Sequence, residues 1–155
     1  QQFAWSDPCA KAGAPVRVIL QAVGWVKSFK EGYRDAEIPD PTVPTGRLGE
    51  LAAQPLPQLA ADLFGACFAP GTVGWTKGLS QSTAGQEFLM SQGWEGDQPH
   101  VADALMAEAF QLLEHRSLIA LHFAEGGSTV HLHWYITRPG RAAAQACDVL
   151  AKLQG

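Results

Sequence analysis

Two β-rich runs near the C-terminal end of the chain, separated by a short turn, constrain its fold more than any other feature. Residues 117–124 and 129–136 are rich in aliphatic and aromatic side chains, and residues 125–128 (Glu-Gly-Gly-Ser) lie between them. Gly126 and Gly127 suit the centre of a tight turn, because glycine accepts positive φ without a steric cost. The sequence therefore predicts an antiparallel hairpin in which Glu125 pairs with Ser128.

Apolar side chains alternate along both predicted strands and support this register. The alternating residues are Ile119, Leu121, Phe123, Val130, Leu132, Trp134 and Ile136. Both apolar sets lie on one face of the hairpin only when the apolar residues of one strand pair with those of the other, as Phe123 does with Val130. We expect that face to cover a hydrophobic core.

Three histidines lie on the opposite face of the predicted hairpin. The predicted register places His122 opposite His131, with His133 diagonal to it. Directly opposed side chains lie about 4.5–5.5 Å apart at Cβ and diagonal ones about 7–8 Å apart, within reach of a shared zinc ion. The His-x-His strand facing a third histidine is similar to the ligand arrangement of animal carbonic anhydrases, which implies a zinc-dependent hydrolase or hydratase. The alternative is a polar face without a cofactor, whose histidines bond to backbone or water.

The N-terminal half predicts a long helix followed by a connector. The helix begins at Ala14-Pro15, and Trp25 and Phe29 lie on its wide apolar face. Residues 36–57 are too rich in proline to continue the helix, so we expect them to wrap over the surface.

Further helices are predicted between the connector and the C-terminus. They cover residues 56–68, 83–92, 99–115 and 137–153. Thr83 and Thr137 are the expected N-caps of the second and the last of these helices, because their hydroxyl groups can accept bonds from free amides. The glycine-rich stretch 69–78 lacks the spacing of a phosphate loop, and we expect a flexible connection there.

The order of elements between Leu112 and Leu150, a helix, a hairpin and a second helix, resembles a winged-helix unit. A more specific likeness is carried by Pro99, His100, Gly140 and residues 104–106 and 133–137. Here the local sequence is similar to the plectin-type winged helix of a eukaryotic small-subunit ribosomal protein, and similar strand-then-helix endings occur in bacterial regulators of the multiple-antibiotic-resistance type. The resemblance implies an α+β fold, a mainly helical winged-helix-like domain with a C-terminal β-hairpin wing and a long N-terminal helical arm. It divides the chain into residues 1–57, the helix and connector, and residues 58–155, the winged-helix-like domain.

The helix at residues 99–115 takes the place of the recognition helix in this resemblance, but its polar stripe is acidic. Helices that read DNA normally carry Arg, Lys, Asn or Gln. Lys77 is the only Lys or Arg between Leu51 and His115, against seven Asp and Glu residues. Such a surface should repel a phosphate backbone. We therefore expect a protein partner or a homodimer.

The leading interpretation is a non-enzymatic interaction module, a winged-helix-like subunit of a protein or nucleoprotein assembly. Its expected partner-binding residues are Trp25, Phe29, Asp103 and Glu108. The alternative is a DNA- or RNA-binding regulator that uses the wing and the last helix, where the only basic cluster lies. That cluster consists of Arg116, Arg138 and Arg141. A net charge of −4 over 155 residues argues against a broadly cationic nucleic-acid binder.

The cysteines and the apolar content limit the remaining classes. Cys9, Cys67 and Cys147 form no CxxC pair, so we expect reduced, mostly buried thiols in a reducing compartment, not a zinc ribbon or a disulfide scaffold. No stretch approaches the ~20 apolar residues of a membrane span. The chain begins at Gln1 and not at Met, so a targeting segment could have been removed, and the compartment stays open.

Overall fold

A computed structural model describes residues 42–126 and 129–155, with the side chains of residues 124–126 and 129–131 left out. The predicted N-terminal helix, with Trp25 and Phe29, lies outside the described residues. The described residues form a mainly helical α+β fold with an antiparallel hairpin towards the C-terminus, as the sequence predicts.

Six α-helices and two strands follow one another along the described chain. In order they are α1 (Gly46–Ala52), α2 (Leu56–Phe68), α3 (Gln81–Ser91), α4 (Pro99–His115), β1 (Ile119–Gly126), β2 (Thr129–Ile136), α5 (Arg138–Ala146) and α6 (Val149–Gln154). A short 3-10 turn at Val73–Trp75 lies between α2 and α3.

Helix α2 lies at the centre of the packing. It contacts α3, α4 and α6, and its Leu63, Phe64 and Phe68 are almost completely buried. Phe110 of α4 and Phe88 of α3 complete the aromatic part of the core. Burial of each such side chain contributes about 1.5–3 kcal/mol to folding, which explains why these helices converge on α2.

The proline-rich connector does not stay on the surface. Helix α1 forms within it, and its Leu48 and Leu51 are 0% and 1% exposed and belong to the same core as the later helices. Pro44, Pro55 and Pro57 lie outside α1 or in the first turn of α2, where proline is tolerated. The described part of the connector therefore belongs to the compact body.

The predicted hairpin forms, but its register is shifted by two residues. Gly126 pairs with Thr129, and Phe123 pairs with Leu132 instead of Val130. The last pair therefore lies one residue later along β1 than the predicted pair of Glu125 with Ser128. Because the shift is even, the pairing still divides the residues of the two strands between the two faces as predicted.

The glycine-rich stretch is a packed connection and not the flexible one that we expected. Leu79 exchanges two backbone hydrogen bonds with Trp134 of β2, at 2.8 and 2.9 Å, and so adds a short bridge to the hairpin. Gly78 lies directly beneath the Tyr135 ring, where a Cβ would overlap the ring atoms. The segment therefore packs against the base of the hairpin.

Two helix boundaries also differ from prediction. The N-cap of α3 is Ser80, whose hydroxyl accepts from the amide of Thr83 at 3.4 Å, so the helix begins before the expected cap. Thr137 caps α5 as predicted, at 3.0 Å from the amide of Gly140. However, the last helix is broken at Cys147, which takes a left-handed conformation (φ 57°), and α6 follows separately. Gly140 lies against the carbonyl of Leu118, with no room for a Cβ.

Candidate functional site

The apolar face of the hairpin is divided between a buried base and an exposed outer half. At the base, Ile119 and Trp134 are 1% and 4% exposed and join the core. Trp134 stacks on Phe110 with a centroid distance of 5.6 Å, and its Nε1 donates to Gln81 Oε1 at 3.0 Å. The prediction that this face covers a core is therefore confirmed for the base.

The outer half of the same face is not covered by the described residues. Phe123, Leu132 and Leu121 are 65%, 49% and 40% exposed. They are close neighbours, because Phe123 pairs with Leu132 and Leu121 pairs with Trp134. Large apolar side chains that cluster at the surface are typical of interaction sites. Sequence reasoning missed this site, because it expected the whole apolar face to cover a core.

The outer edge of β1 is a second feature of this surface. Within residues 42–126 and 129–155, β2 is the only strand that pairs with β1. Exposed edges are normally protected by lysine, proline or a covering segment. β1 contains neither lysine nor proline, and Glu125 is its only charged residue. This edge is therefore chemically open to pairing with a further strand.

The opposite face of the hairpin carries the three histidines, in an arrangement that the register shift changes. His122 pairs directly with His133 and not with His131, and His131 is now the diagonal neighbour, opposite Ala124. The imidazole of His122 lies edge-on to Tyr135, at 5.7 Å between centroids. Within the described side chains, which do not include that of His131, no group of three is placed to hold a metal ion.

The three arginines of the predicted basic cluster have different surroundings. Arg138 is exposed at the start of α5, whereas Arg116 is half-buried and its Nε has no hydrogen-bond partner within the described part of the chain. Arg141 is half-buried with its guanidinium 4.7 Å from the ring centroid of Trp75, a cation–π contact. One of the three charges is thus already engaged within the protein.

Asp103 and Glu108, the predicted partner-binding residues of α4, are both exposed. Gln111 and Glu114 continue the same polar surface, which forms one wall of a shallow depression next to Leu56. The described part of the chain places no lysine or arginine in the lining of this depression.

A small cleft of about 220 Å³ lies between α2 and α3 and contains Cys67. Burial, together with the nearby carboxylate of Glu87, raises the pKa of the Cys67 thiol to about 12. A thiol with so high a pKa stays protonated near neutral pH and is a poor nucleophile. Cys67 is therefore a buried structural residue, as expected.

Cys147 does not match the expectation of reduced thiols. Cys67 is a free thiol, whereas Cys147 forms a disulfide. Its side chain lies at the surface, at the break between α5 and α6. Three widely spaced cysteines give no local signal for such a bond, because pairing depends on distance in the fold and not on spacing in the sequence.

No helix in the described ranges is long and apolar enough to span a bilayer. Comparisons with family models, curated proteins and solved structures found no match for this chain.

Proposed function

We propose that the protein is a winged-helix-like, non-enzymatic interaction module that associates with a second copy of itself through its hairpin. The observation that carries this proposal is the exposed apolar cluster of Leu121, Phe123 and Leu132 beside the open edge of β1. In this proposal the subunit interface consists of two identical hairpins, and no catalytic group is needed.

The order of elements supports the winged-helix part of the proposal. Helix α4, the two strands and α5 follow one another in the order helix, hairpin and helix that the resemblance implies. Helix α4 then takes the place of the recognition helix, and its exposed acidic residues favour a protein partner over DNA.

The energetics favour burial of the apolar cluster. Fully burying a Leu or Phe side chain stabilises by about 1.5–3 kcal/mol, so covering these partly exposed side chains is worth on the order of 1 kcal/mol each. Backbone hydrogen bonds along a new strand pair would add to this gain.

A second copy fits this surface because antiparallel pairing of two β1 edges is symmetric. Each hairpin would supply the same edge and the same apolar face, as a two-fold interface requires. The product is a four-stranded sheet in which the two apolar clusters lie on one continuous face. The scarcity of charge on β1 removes the usual electrostatic obstacle to such pairing.

Sedimentation velocity over a range of concentrations tests this proposal. We expect a reversible monomer–dimer equilibrium in the parent chain. Phe123→Asp should weaken the dimer at least about tenfold, because an aspartate would be buried there without a partner. Val73→Asp is the matched control, since Val73 is a similarly exposed apolar residue (63%) outside the hairpin.

The two variants also define the results that count against the dimer. A parent chain that stays monomeric at every concentration rejects the second copy as the partner. Equal weakening by Phe123→Asp and Val73→Asp would indicate a general effect of charge and not a hairpin interface.

A zinc site is the second proposed function, favoured by the observed register. It pairs His122 directly with His133 and keeps His131 on the same face. His122 Nδ1 lies 2.8 Å from the carbonyl oxygen of Phe123, so the tautomer that donates this hydrogen bond would leave Nε2 to bind a metal.

Dialysis followed by metal analysis tests the zinc proposal. Stoichiometric zinc should remain in the parent and in His115→Ala, whose histidine lies on α4, and should be lost in His131→Ala. A parent chain that takes up no zinc rejects this function.

A further inference from the structure

We propose that the cleft between α2 and α3 is a binding site for a small organic amine, whose apolar body lies against Cys67 and Phe88 and whose ammonium group pairs with Glu87. The cleft has a volume of about 220 Å³. No residue of β1 or β2 lines it, so it is a different surface from the exposed apolar cluster of the hairpin. The site therefore adds small-molecule binding to the proposed interaction module and does not depend on the dimer.

The floor of the cleft is apolar and uncharged. Cys67 of α2 and Ala84 and Phe88 of α3 are buried there, and the half-buried Leu79 lies in the same lining. The thiol of Cys67 stays protonated near neutral pH, because burial raises its pKa to about 12. An engineered apolar cavity of about 150 Å³ accepts one benzene molecule. A cleft of about 220 Å³ therefore suits one ring with a short chain.

The polar rim of the cleft comes from one face of α3 and its N-cap. Ser80, Thr83, Glu87 and Ser91 recur at intervals of three or four residues, which places them on one side of the helix. The hydroxyl of Ser80 caps the helix, and the hydroxyl of Ser91 donates to the carbonyl of Phe88 at 2.6 Å. Glu87 is exposed, and among the described residues its carboxylate forms no hydrogen bond or ion pair. It is therefore the charged rim group that is left to bind a ligand.

The charge at the rim selects the class of ligand. Within the described ranges no lysine or arginine lines the cleft. The carboxylate of Glu87 is close enough to the floor to add to the effect of burial on the pKa of the Cys67 thiol. An anion in the cleft would be repelled by the same carboxylate, whereas an ammonium group would donate charge-assisted hydrogen bonds to it. A ligand with an apolar body and one positive charge matches both the floor and the rim.

An amide chemical-shift titration of the isotope-labelled full chain tests the site with probes that differ in charge. The probes are phenethylamine, phenethyl alcohol and hydrocinnamate, each with one ring on a short chain. Near neutral pH we expect the amine to bind most tightly and the carboxylate least, with the largest shifts at Ala84, Glu87 and Ser91. The proposal is overturned if these amides do not respond to tens of millimolar amine, or if amine and carboxylate bind equally.

The contribution of Glu87 is measured with a matched pair of variants. Glu87→Gln should weaken phenethylamine roughly threefold to fivefold, the scale of an exposed ion pair, and should leave phenethyl alcohol unchanged. Glu95→Gln is the control, since Glu95 is also exposed but does not line the cleft. If both substitutions weaken the amine equally, the pairing with Glu87 is wrong.

A larger side chain in the wall of the cleft tests where the apolar body binds. Ala66 of α2 is half-buried in that wall, so Ala66→Phe should occupy the cleft and abolish the binding of both the amine and the alcohol. The amide spectrum of this variant shows directly whether it is folded. Unchanged binding by the folded variant would place the probes elsewhere on the protein and overturn the proposal.

Discussion

At the scale of single residues, burial decides what each reactive group can do. Cys67 is a free thiol in the core, and its raised pKa removes it from nucleophilic chemistry at neutral pH. The guanidinium of Arg141 lies over the Trp75 ring. The sequence marks both as reactive or charged groups. Their roles depend on neighbours from other parts of the chain, which spacing in the sequence does not identify.

The pKa of Cys67 predicts a loss of stability at high pH that Cys67→Ala should remove. The thiol of the unfolded chain ionises near the ordinary pKa of 9.0, whereas the folded protein holds its proton up to about 12. Between these values the unfolded chain binds fewer protons, so this group lowers the free energy of unfolding by about 1.4 kcal/mol per pH unit as pH rises. Below the unfolded pKa both states hold the proton, and no slope arises.

Urea unfolding of the parent and Cys67→Ala, from about pH 8 to about pH 10.5, measures this effect. Other titrating groups are common to both proteins and cancel in the difference between their unfolding free energies. That difference should be constant below pH 9.0 and should shift in favour of the variant above it. Two parallel curves across the whole range would contradict the raised pKa.

At the scale of elements, sequence patterns predicted helices and strands better than they predicted contacts. Helices α2 and α4 match residues 56–68 and 99–115, and Thr137 caps α5, because periodicity and capping are local properties. The predicted register was wrong by two residues, because this shift leaves the same residues on each face and the apolar pattern therefore fits both registers. The packing of the glycine-rich stretch was missed because it depends on Tyr135 and Trp134, which lie far away in the sequence.

The contact between Gly78 and Tyr135 predicts a specific coupling between the loop and the hairpin. Gly78→Ala should lower the free energy of unfolding by roughly 1–3 kcal/mol, because the added methyl group overlaps the ring. In a Tyr135→Ala background the same substitution should cost much less, since the ring is gone. Denaturant unfolding of the four proteins gives this coupling energy. Costs that simply add would contradict the close contact.

At the scale of the whole molecule, the charges and the apolar surface lie in different places. The acidic residues of α4 are exposed, whereas the uncovered apolar side chains Leu121, Phe123 and Leu132 lie on the outer half of the hairpin. The sequence predicted the acidic surface directly, because charged residues are rarely buried. It did not predict the apolar one, because the apolar pattern of a strand is the same whether its face meets a core or solvent.

The glycines at positions 78 and 140 are positions that relatives of this chain should retain. Each leaves no room for a side chain, one beneath the Tyr135 ring and the other against the carbonyl of Leu118. Surface charges can change at little cost, whereas a methyl group would have to displace the Tyr135 ring at position 78 and the backbone carbonyl of Leu118 at position 140. Relatives that have diverged everywhere else should still carry a glycine just before the bridging residue and another at the start of the helix after the hairpin. These two glycines are therefore a better sequence marker of such relatives than the acidic helix.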